Sequence, residues 1–308
     1  MNILVIKHGA LGDFILATPA MKAIRGHHKS DHITLLTTKP YADMARKTGY
    51  FNEVMVDSRP KLWQPLEIWN LAKKLRVGNF TRVYDLQTSG RSSRYFWLFP
   101  MGKKPEWVGI VKSGSHYQAN PERTKMHTIE RQRDQLKTAG IEVTGLPDIS
   151  WMTADTSRFA LPEKYAIIVA GCSAHRPQKR WTARGITEFC KFLGEYGITT
   201  VFIGTKAEES LVNEIAAQVP GSLNLVGKTT IEDIAELGRK ALLAAGGDTG
   251  PIHLLAASGC PVLTWFSRAS NPILSVPRGR NVKLIRKDDL NNLPASEVIE
   301  LAKTMINN

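Results

Sequence analysis

Short apolar runs alternate along the chain with amphipathic stretches. The runs contain almost no polar residues, as in YAIIVA at 165–170 and PVLTWF at 261–266, which is typical of strands buried on both faces. The stretches between them repeat apolar residues three or four positions apart and predict helices, for example over 14–25 and 183–196. Continuous apolar strands separated by helices indicate parallel sheets covered by helices on both sides.

This alternation occurs twice, which predicts an α/β protein of two doubly wound parallel-sheet domains. One series starts with NILVIKH at 2–8, and a second starts after Pro162. A polar, proline-containing segment at 153–164 separates the two series and is typical of a domain boundary. We therefore expect one domain over 1–158, a second over 159–294 and a last helix within 295–308.

The loops that follow the strands are the candidate ligand sites. In open parallel sheets, ligands bind beyond the carboxyl ends of the strands. Applied to the predicted strands, this rule selects the loops at 9–13, 171–181, 204–206 and 246–250.

GGDTGPIHLLAASGCPV, at 246–262, places polar residues in an apolar strand–helix–strand unit. Its glycines allow a sharp turn, and the amides of the next helical turn can bind a phosphate. Thr249 adds a hydroxyl donor, and His253 lies one turn into the helix. Asp248 would cap the helix or accept hydroxyl groups of a sugar. The alternative is a capped helix with a buried histidine and no ligand.

Two further loops carry candidate chemistry. In AGCSAHRPQKRW, at 170–181, Arg176, Lys179 and Arg180 cluster between a strand and a helix, where cations suit a diphosphate. The alternative is a solvated basic loop, and we expect Trp181 to be a packing residue. In KHGALGDFILATP, at 7–19, Asp13 is either the N-cap of the first helix or a carboxylate that accepts a proton from an attacking hydroxyl.

The charge of the chain favours an anionic partner. Its net charge is +13, of which residues 1–150, with 23 basic and 13 acidic side chains, contribute +10. A phosphorylated substrate, an acidic membrane surface and a nucleic acid all fit this excess. Nucleic-acid binding rests on charge alone, because no reader motif is present, and we expect none. RYFWLFPMGKKPEW, at 94–107, either contacts an anionic membrane or forms a buried helix followed by a basic turn.

Composition also bears on location and cofactors. The three cysteines form no CxxC pair, which favours a reducing cytoplasm. The first residues lack the features of a signal peptide, and no apolar stretch reaches the ~20 residues of a membrane span. The chain contains no Asp-x-Asp, the usual ligand pair for a magnesium–diphosphate complex in one class of glycosyltransferases, and no Gly-x-Gly-x-x-Gly. We therefore expect neither a metal nor a cofactor.

Five stretches together resemble glycosyltransferase family 9, the lipopolysaccharide heptosyltransferases. GDTGPIHLLAASGCPV at 247–262 resembles the Asp-(Ser/Thr)-Gly-x-x-His-Leu-x-Ala-Ala signature, and ILVIKHGALGDFILATPAMKAIR at 3–25 resembles the family's opening. VYDLQTSGRSSRYFWL at 83–98 is similar to its Asp-x-Gln segment. KRW at 179–181 is similar to its Lys-Arg-Trp-Pro, with Thr182 in place of the proline, and VGKTTIEDIAEL at 226–237 to its Gly-Lys-Thr-x-Leu segment.

The resemblance implies a GT-B fold with a cleft between an N-terminal acceptor domain and a C-terminal nucleotide-sugar domain, the last helix packing back toward the former. It also implies inverting, metal-independent transfer of heptose from ADP-heptose to the lipopolysaccharide core. The alternatives are a family member with another donor or a surface-glycan acceptor, and a non-catalytic sugar-nucleotide-binding protein. Localisation would be cytoplasmic, with peripheral contact at the cytoplasmic face of the inner membrane.

The expected site combines these implications with the loop positions. Asp13 would be the general base. The donor and its diphosphate would be bound by Ser173, Lys179, Arg180, Gly204, Asp248, Thr249, Gly250 and His253. The acceptor side would comprise Gly12, Gln87 and Arg91.

Overall fold

The computed structural model describes residues 1–172 and 175–306. The chain forms two compact units, Met1–Gly145 and Leu146–Asn308. Each unit contains one six-stranded sheet in which all paired strands run parallel. The predicted class, an α/β protein with two doubly wound parallel sheets, is confirmed.

The first unit is built on a sheet of order β3-β2-β1-β4-β5-β6. Its strands are β1 (Asn2–Ile6), β2 (His32–Thr37), β3 (Glu53–Val56), β4 (Arg82–Asp85), β5 (Glu106–Gly109) and β6 (His116–Tyr117). Its helices are α1 (Leu11–Ile15), α2 (Thr18–His27), α3 (Lys39–Lys47), α4 (Pro65–Val77), α5 (Gly90–Arg94) and α6 (Thr128–Lys137).

The second unit repeats this topology, with the order β12-β11-β10-β7-β8-β9. Its strands are β7 (Tyr165–Val169), β8 (Thr199–Phe202), β9 (Leu223–Asn224), β10 (Leu243–Gly247), β11 (Val262–Phe266) and β12 (Val282–Arg286). Its helices are α7 (Ala183–Glu195), α8 (Glu209–Ala216), α9 (Ile231–Lys240), α10 (Gly250–Ala257), α11 (Pro272–Ser275) and α12 (Ala295–Ile306).

The strand order reverses once in each sheet, between β1 and β4 and between β7 and β10. At such a point the two loops after the strands diverge to opposite faces and leave room for a ligand. The registers bring the paired strands to the same level, with Ile6 opposite Asp85 and Val169 opposite Gly246. The loops that follow β1, β4, β7 and β10 are therefore the best placed for binding.

Several elements differ from the sequence prediction. The single helix expected over 14–25 is two helices, because the Thr18 hydroxyl donates to the Ile15 carbonyl oxygen (2.8 Å) and a new helix begins at Thr18, with Pro19 in its first turn. The buried helix and basic turn considered for 94–107 take the form of a 3-10 turn with buried Tyr95 and Phe96 and a second 3-10 turn that ends at Lys103, followed by β5. Trp107, within β5, is fully buried.

The segment before β7, at 146–164, packs on the second unit. Ile149 and Met152 are buried. The Ile149 carbonyl accepts from Arg239 Nη2 (2.9 Å), and Arg158 pairs with Asp233 (2.5 Å). The division therefore follows Gly145, earlier in the chain than the boundary expected after residue 158.

The last helix lies where the sequence placed it, over Ala295–Ile306. Its buried residues, Val298, Ala302 and Met305, join the core of the second unit beside α7. Packing of another face of this helix toward the N-terminal domain stays a prediction. No helix within residues 1–172 and 175–306 has both the length and the apolar character of a membrane span.

Trp181 is the packing residue that we expected. It is 1% exposed, its ring centroid lies 5.0 Å from that of Trp265, and its indole N–H donates to the Leu293 carbonyl (2.9 Å). Thr182, which replaces the family's proline, caps α7 by accepting from the Gly185 amide (3.0 Å). A Cβ on Gly185 would lie 2.4 Å from the indole of Trp181. Gly185 therefore lets α7 contact this ring directly.

We expect Gly185→Ala to destabilise the protein by about 1–3 kcal/mol, because the added methyl overpacks the Trp181 contact. Gly194→Ala, on the same helix with open space around its Cβ position, is the matched control. It should be neutral or stabilising by up to ~1 kcal/mol, since alanine has the higher helix propensity. Urea unfolding measures both changes, and equal effects of the two substitutions would contradict the packing role.

Candidate functional site

The loops after β7 and β10 bring Lys179 and Asp248 into contact. Lys179 ends a 3-10 turn, Pro177–Lys179, and Asp248 follows β10. Lys179 Nζ lies 2.5 Å from Asp248 Oδ2 and 3.4 Å from the Asp248 carbonyl oxygen. Both side chains are buried. The contact is possible because β7 and β10 are neighbours at the point of strand reversal.

His253 completes a buried network with this pair. It lies in the first turn of α10, with Nε2 3.4 Å from Asp248 Oδ1. Burial alone would raise the pKa of Asp248, but the contacts with His253 and Lys179 outweigh it and lower the pKa to about 2. Asp248 is therefore ionised at neutral pH. Its expected role as a helix cap is wrong, since the N-cap of α10 is Thr249.

Two buried polar atoms beside this network have no hydrogen-bond partner among the described residues, 1–172 and 175–306. They are Thr249 Oγ1 and His253 Nδ1. Thr249 stands at the N-cap, yet its hydroxyl makes no capping bond. Buried polar atoms are normally paired, so two unpaired atoms at one helix N-terminus fit the oxygens of a ligand. The geometry favours the ligand-binding interpretation of this segment over a self-contained helix cap.

Gly246 and Gly247 are needed because neighbouring atoms pack closely against their backbone, not because the backbone turns into the left-handed region. A Cβ on Gly247 would lie 2.7 Å from the Lys179 carbonyl oxygen, and one on Gly246 would lie 2.8 Å from Val169 Cβ. Neither residue has a positive φ. Gly247 thus lets the loop carrying Lys179 lie directly against β10. Gly250 is the first residue of α10.

The other residues predicted for the donor side are Arg180, Ser173 and Gly204. Arg180 follows the 3-10 turn and is exposed. Ser173 lies outside the described residues. Gly204 lies beside Glu208, with its Cβ position 3.3 Å from Glu208 Oε2.

Glu208 is a carboxylate that the sequence reasoning missed. It accepts from the amide (2.8 Å) and hydroxyl (2.6 Å) of Thr205, and a Cβ on Gly171 would lie 2.1 Å from its Cγ. Glu208 therefore borders the loops after both β7 and β8. The pattern Thr-x-x-Glu of a capping box, at 205–208, is the signal that marks it.

In the first unit, Asp13 lies in the first turn of α1 and is exposed. The N-cap of this helix is Ala10, so the capping role considered for Asp13 is wrong. Two cations share its surroundings. Burial lowers the pKa of Lys7 and of Arg131, and the Asp13 charge acts in the opposite direction on both. The Asp13 carboxylate therefore faces solvent, with the charges of Lys7 and Arg131 near it.

The three acceptor-side predictions have structural roles in the first unit. Gly12 is buried within α1. Gln87 Oε1 accepts from the His8 amide (2.9 Å) and so joins the loops after β1 and β4. Arg91 Nη1 donates to the carbonyl oxygens of Arg59 and Pro60, at 2.8 Å each. Their part in acceptor binding stays a prediction.

A buried network beside β1 was not found from the sequence. His8 Nε2 lies 2.8 Å from Asp57 Oδ2, and the Tyr95 hydroxyl donates to the same oxygen (2.6 Å). Burial opposes ionisation of Asp57, but these partners lower its pKa. His8 comes shortly after the buried strand β1 and Asp57 directly after the edge strand β3, so polar residues at strand ends were the available signal.

Asp85, at the end of β4, is a second buried carboxylate that the sequence reasoning did not select. The Thr88 amide and the Ser92 hydroxyl each donate to it (2.9 Å). Burial nevertheless raises its pKa to about 6. Among residues 1–172 and 175–306, no three His, Cys, Asp or Glu side chains are grouped so as to hold a metal ion.

The pKa of Asp248 predicts a pH-dependent contribution to stability. The folded protein keeps this carboxyl ionised to a lower pH than the unfolded chain does. Its stabilisation, roughly 2 kcal/mol, is therefore full above about pH 4 and is lost as the pH falls toward about 2. We expect Asp248→Asn to be less stable at pH 7, with a smaller difference in acid.

Denaturant unfolding across this pH range measures the effect. Asp288→Asn, which changes an exposed carboxylate of the same unit, is the control and should change stability by less than about 0.5 kcal/mol. A stability difference for Asp248→Asn that stays constant between pH 7 and pH 2 would contradict the role of its ionised form.

The chain is similar in sequence to known proteins. A sequence model described as glycosyltransferase family 9 (heptosyltransferase) matches residues 68–305. The lipopolysaccharide core heptosyltransferase OpsX of Haemophilus influenzae is 22% identical over 295 residues, which cover 90% of this chain and 81% of that protein.

Two solved structures share the fold. The Escherichia coli ADP-heptose lipopolysaccharide heptosyltransferase II superposes with a TM-score of 0.79 at 19% identity, covering 100% of this chain and 99% of that one. The E. coli heptosyltransferase WaaC with ADP gives 0.78 at 20% identity, covering 99% and 100%. The GT-B fold class expected from the sequence is thereby confirmed.

Proposed function

The chain belongs to glycosyltransferase family 9, the heptosyltransferases, and from this membership we propose that it transfers heptose from ADP-heptose to a lipopolysaccharide core. The transfer would invert the anomeric carbon and need no metal. The named relative and structures support this choice, since their descriptions include the lipopolysaccharide core, ADP-heptose and ADP.

The observation that carries the proposal is the buried network at the N-terminus of α10. Lys179 supplies a cation, and the unpaired Thr249 hydroxyl and His253 Nδ1 supply polar contacts within one turn. A helix N-terminus adds amide donors and a partial positive charge. Together these groups suit a diphosphate and the sugar attached to it. We assign Arg180 and Gly204 to the edge of the same donor site, and the donor-side role of Ser173 stays a prediction from the sequence.

Asp13 is the proposed general base. Its carboxylate takes the proton of the acceptor hydroxyl while the hydroxyl oxygen attacks the anomeric carbon. The bond between that carbon and the diphosphate oxygen breaks, and ADP leaves with the electron pair. A single displacement of this kind inverts the configuration at the carbon. Lys179 and the α10 amides stabilise the charge that develops on the leaving diphosphate.

The acceptor and location complete the proposal. A lipopolysaccharide core is anionic and suits the basic first unit, where we place the acceptor beside Gly12, Gln87 and Arg91. Within the described chain, the three cysteines are buried and free. We assign the protein to the cytoplasm, with peripheral contact at the cytoplasmic face of the inner membrane.

We expect Asp13→Asn to lower the transfer rate by about 10²–10⁴-fold, since the amide cannot accept the proton. Binding of ADP should stay within about twofold of wild type, because Asp13 does not contact the donor diphosphate in this mechanism. Asp43→Asn, which changes an exposed helical carboxylate of the same unit, is the control and should retain full turnover. Near-normal turnover of Asp13→Asn would remove this residue from the base role.

We expect Lys179→Ala to weaken ADP binding by about tenfold or more, the loss typical of a hydrogen bond to a charged group. Calorimetry in the presence of a chelator measures this, with UDP, GDP and CMP compared with ADP. Arg184→Ala removes an exposed cation nearby in the chain and should bind like wild type. Selective binding of another nucleotide would replace the proposed donor, and binding of none would favour a non-catalytic protein or a mechanism in which the acceptor binds first.

A further inference from the structure

Helix α4 of the first unit has two apolar faces. One face, with Leu71 and Leu75, is buried in the core. The other face is exposed, and its members are three or four positions apart, which aligns them along the helix. These residues are Leu66, Trp69, Lys73 and Val77.

The chain before this helix extends the exposed apolar area. Leu62 and Trp63 precede α4 and are 70% and 75% exposed, while Leu66 and Trp69 are 67% and 56% exposed. We call Lys61, Leu62, Trp63, Leu66, Trp69, Lys73 and Val77 the α4 surface. Contiguous apolar side chains on a protein surface normally mark a contact with another protein or a membrane.

Each tryptophan of the α4 surface has a lysine beside it. Lys61 Nζ lies 5.0 Å from the ring centroid of Trp63, and Lys73 Nζ lies 5.4 Å from that of Trp69. The surrounding segment, 59–77, carries five basic side chains and one acidic one, Glu67. The apolar side chains therefore lie within a positively charged region.

A third pair of this kind lies next to the C-terminal end of α4. Arg76 Nε donates to the Leu98 carbonyl oxygen (2.9 Å), which fixes the 3-10 turn Tyr95–Leu98 beside the helix. Within this turn, Trp97 is 60% exposed and Lys104 Nζ lies 3.8 Å from its ring centroid. Exposed tryptophan paired with lysine is thus repeated in two adjoining segments.

We propose that the α4 surface docks on an anionic lipid bilayer. Indole rings prefer the boundary between lipid headgroups and acyl chains, and lysines beside them reach the lipid phosphates. A helix with basic and aromatic side chains on its exposed face is typical of helices that lie in this boundary. The inference rests on the proposed function only for the choice of the inner membrane, and it deepens the location given there.

The composition of the surface favours lipid over other partners. Lysine is depleted in protein–protein interfaces, whereas two lysines lie within this surface. A nucleic acid would use the lysines and tryptophans but would leave Leu62, Leu66 and Val77 without an apolar partner. A bilayer satisfies all three kinds of side chain. The contact therefore includes residues 61–77 and cannot include Trp107 of the 94–107 segment, which is buried in β5.

The test is co-sedimentation of the full chain with vesicles of phosphatidylcholine, with and without phosphatidylglycerol. We expect wild type to bind the anionic vesicles and to release with salt. Trp63→Ser with Trp69→Ser should lower the partition coefficient by about tenfold or more, because two large apolar contacts are lost. Lys61→Gln with Lys73→Gln should lower binding to the anionic vesicles only.

Matched variants separate this inference from the proposed function. Tyr196→Ser removes an exposed aromatic residue of the second unit and should leave vesicle binding unchanged. Transfer to a soluble acceptor should persist in the Trp63/Trp69 variant, whose fold is checked by thermal unfolding. The inference would be overturned if wild type failed to bind anionic vesicles. It would also be overturned if wild type and the Trp63/Trp69 variant bound them equally. Dimers of wild type that the tryptophan variant abolishes without a change in vesicle binding would overturn it as well.

Discussion

The buried pair of Lys179 and Asp248 is the interaction on which the proposed donor site depends. Two opposite charges in a protein interior are costly to desolvate, and removal of one partner leaves the other uncompensated. The pair is held because the 3-10 turn after β7 and the loop after β10 meet where the strand order reverses. Gly247 makes this approach possible, since any side chain there would collide with the Lys179 backbone. Fold topology, a glycine and an ion pair thus act together.

The pair also determines what the site can accept. Because Asp248 is ionised and buried, it balances the Lys179 charge without a ligand. In the proposed donor site, a diphosphate would share Lys179 with this carboxylate, and the α10 amides and the Thr249 hydroxyl would supply the additional donors that make sharing favourable. A neutral sugar hydroxyl can donate to Asp248 directly. The arrangement therefore suits a ligand that carries both groups, as a nucleotide sugar does.

The sequence predicted best the elements that are buried on both sides. Strands such as β7 and β11 are continuous apolar runs, so their pattern leaves one interpretation. The strand β12 has no such pattern, because it lies at a sheet edge and its residues are half-buried or exposed. The candidate residues at strand ends followed from topology together with the family motifs.

The hydrogen-bond and ion-pair partners of residues at the strand ends could not be predicted from the sequence. Asp57 bonds Tyr95, which is 38 positions away, and Lys179 bonds Asp248 across 69 positions. No local pattern encodes such pairs, so the capping roles considered for Asp13 and Asp248 were plausible in sequence and wrong in structure.

The two units differ in where their charged side chains lie. In the second unit, Lys179 is buried and paired with Asp248, whereas in the first unit the lysines of the α4 surface stand exposed beside indole rings. Exposed cations cost little to solvate and remain available to an anionic surface, so the positive excess of the first unit can act on a partner outside the protein.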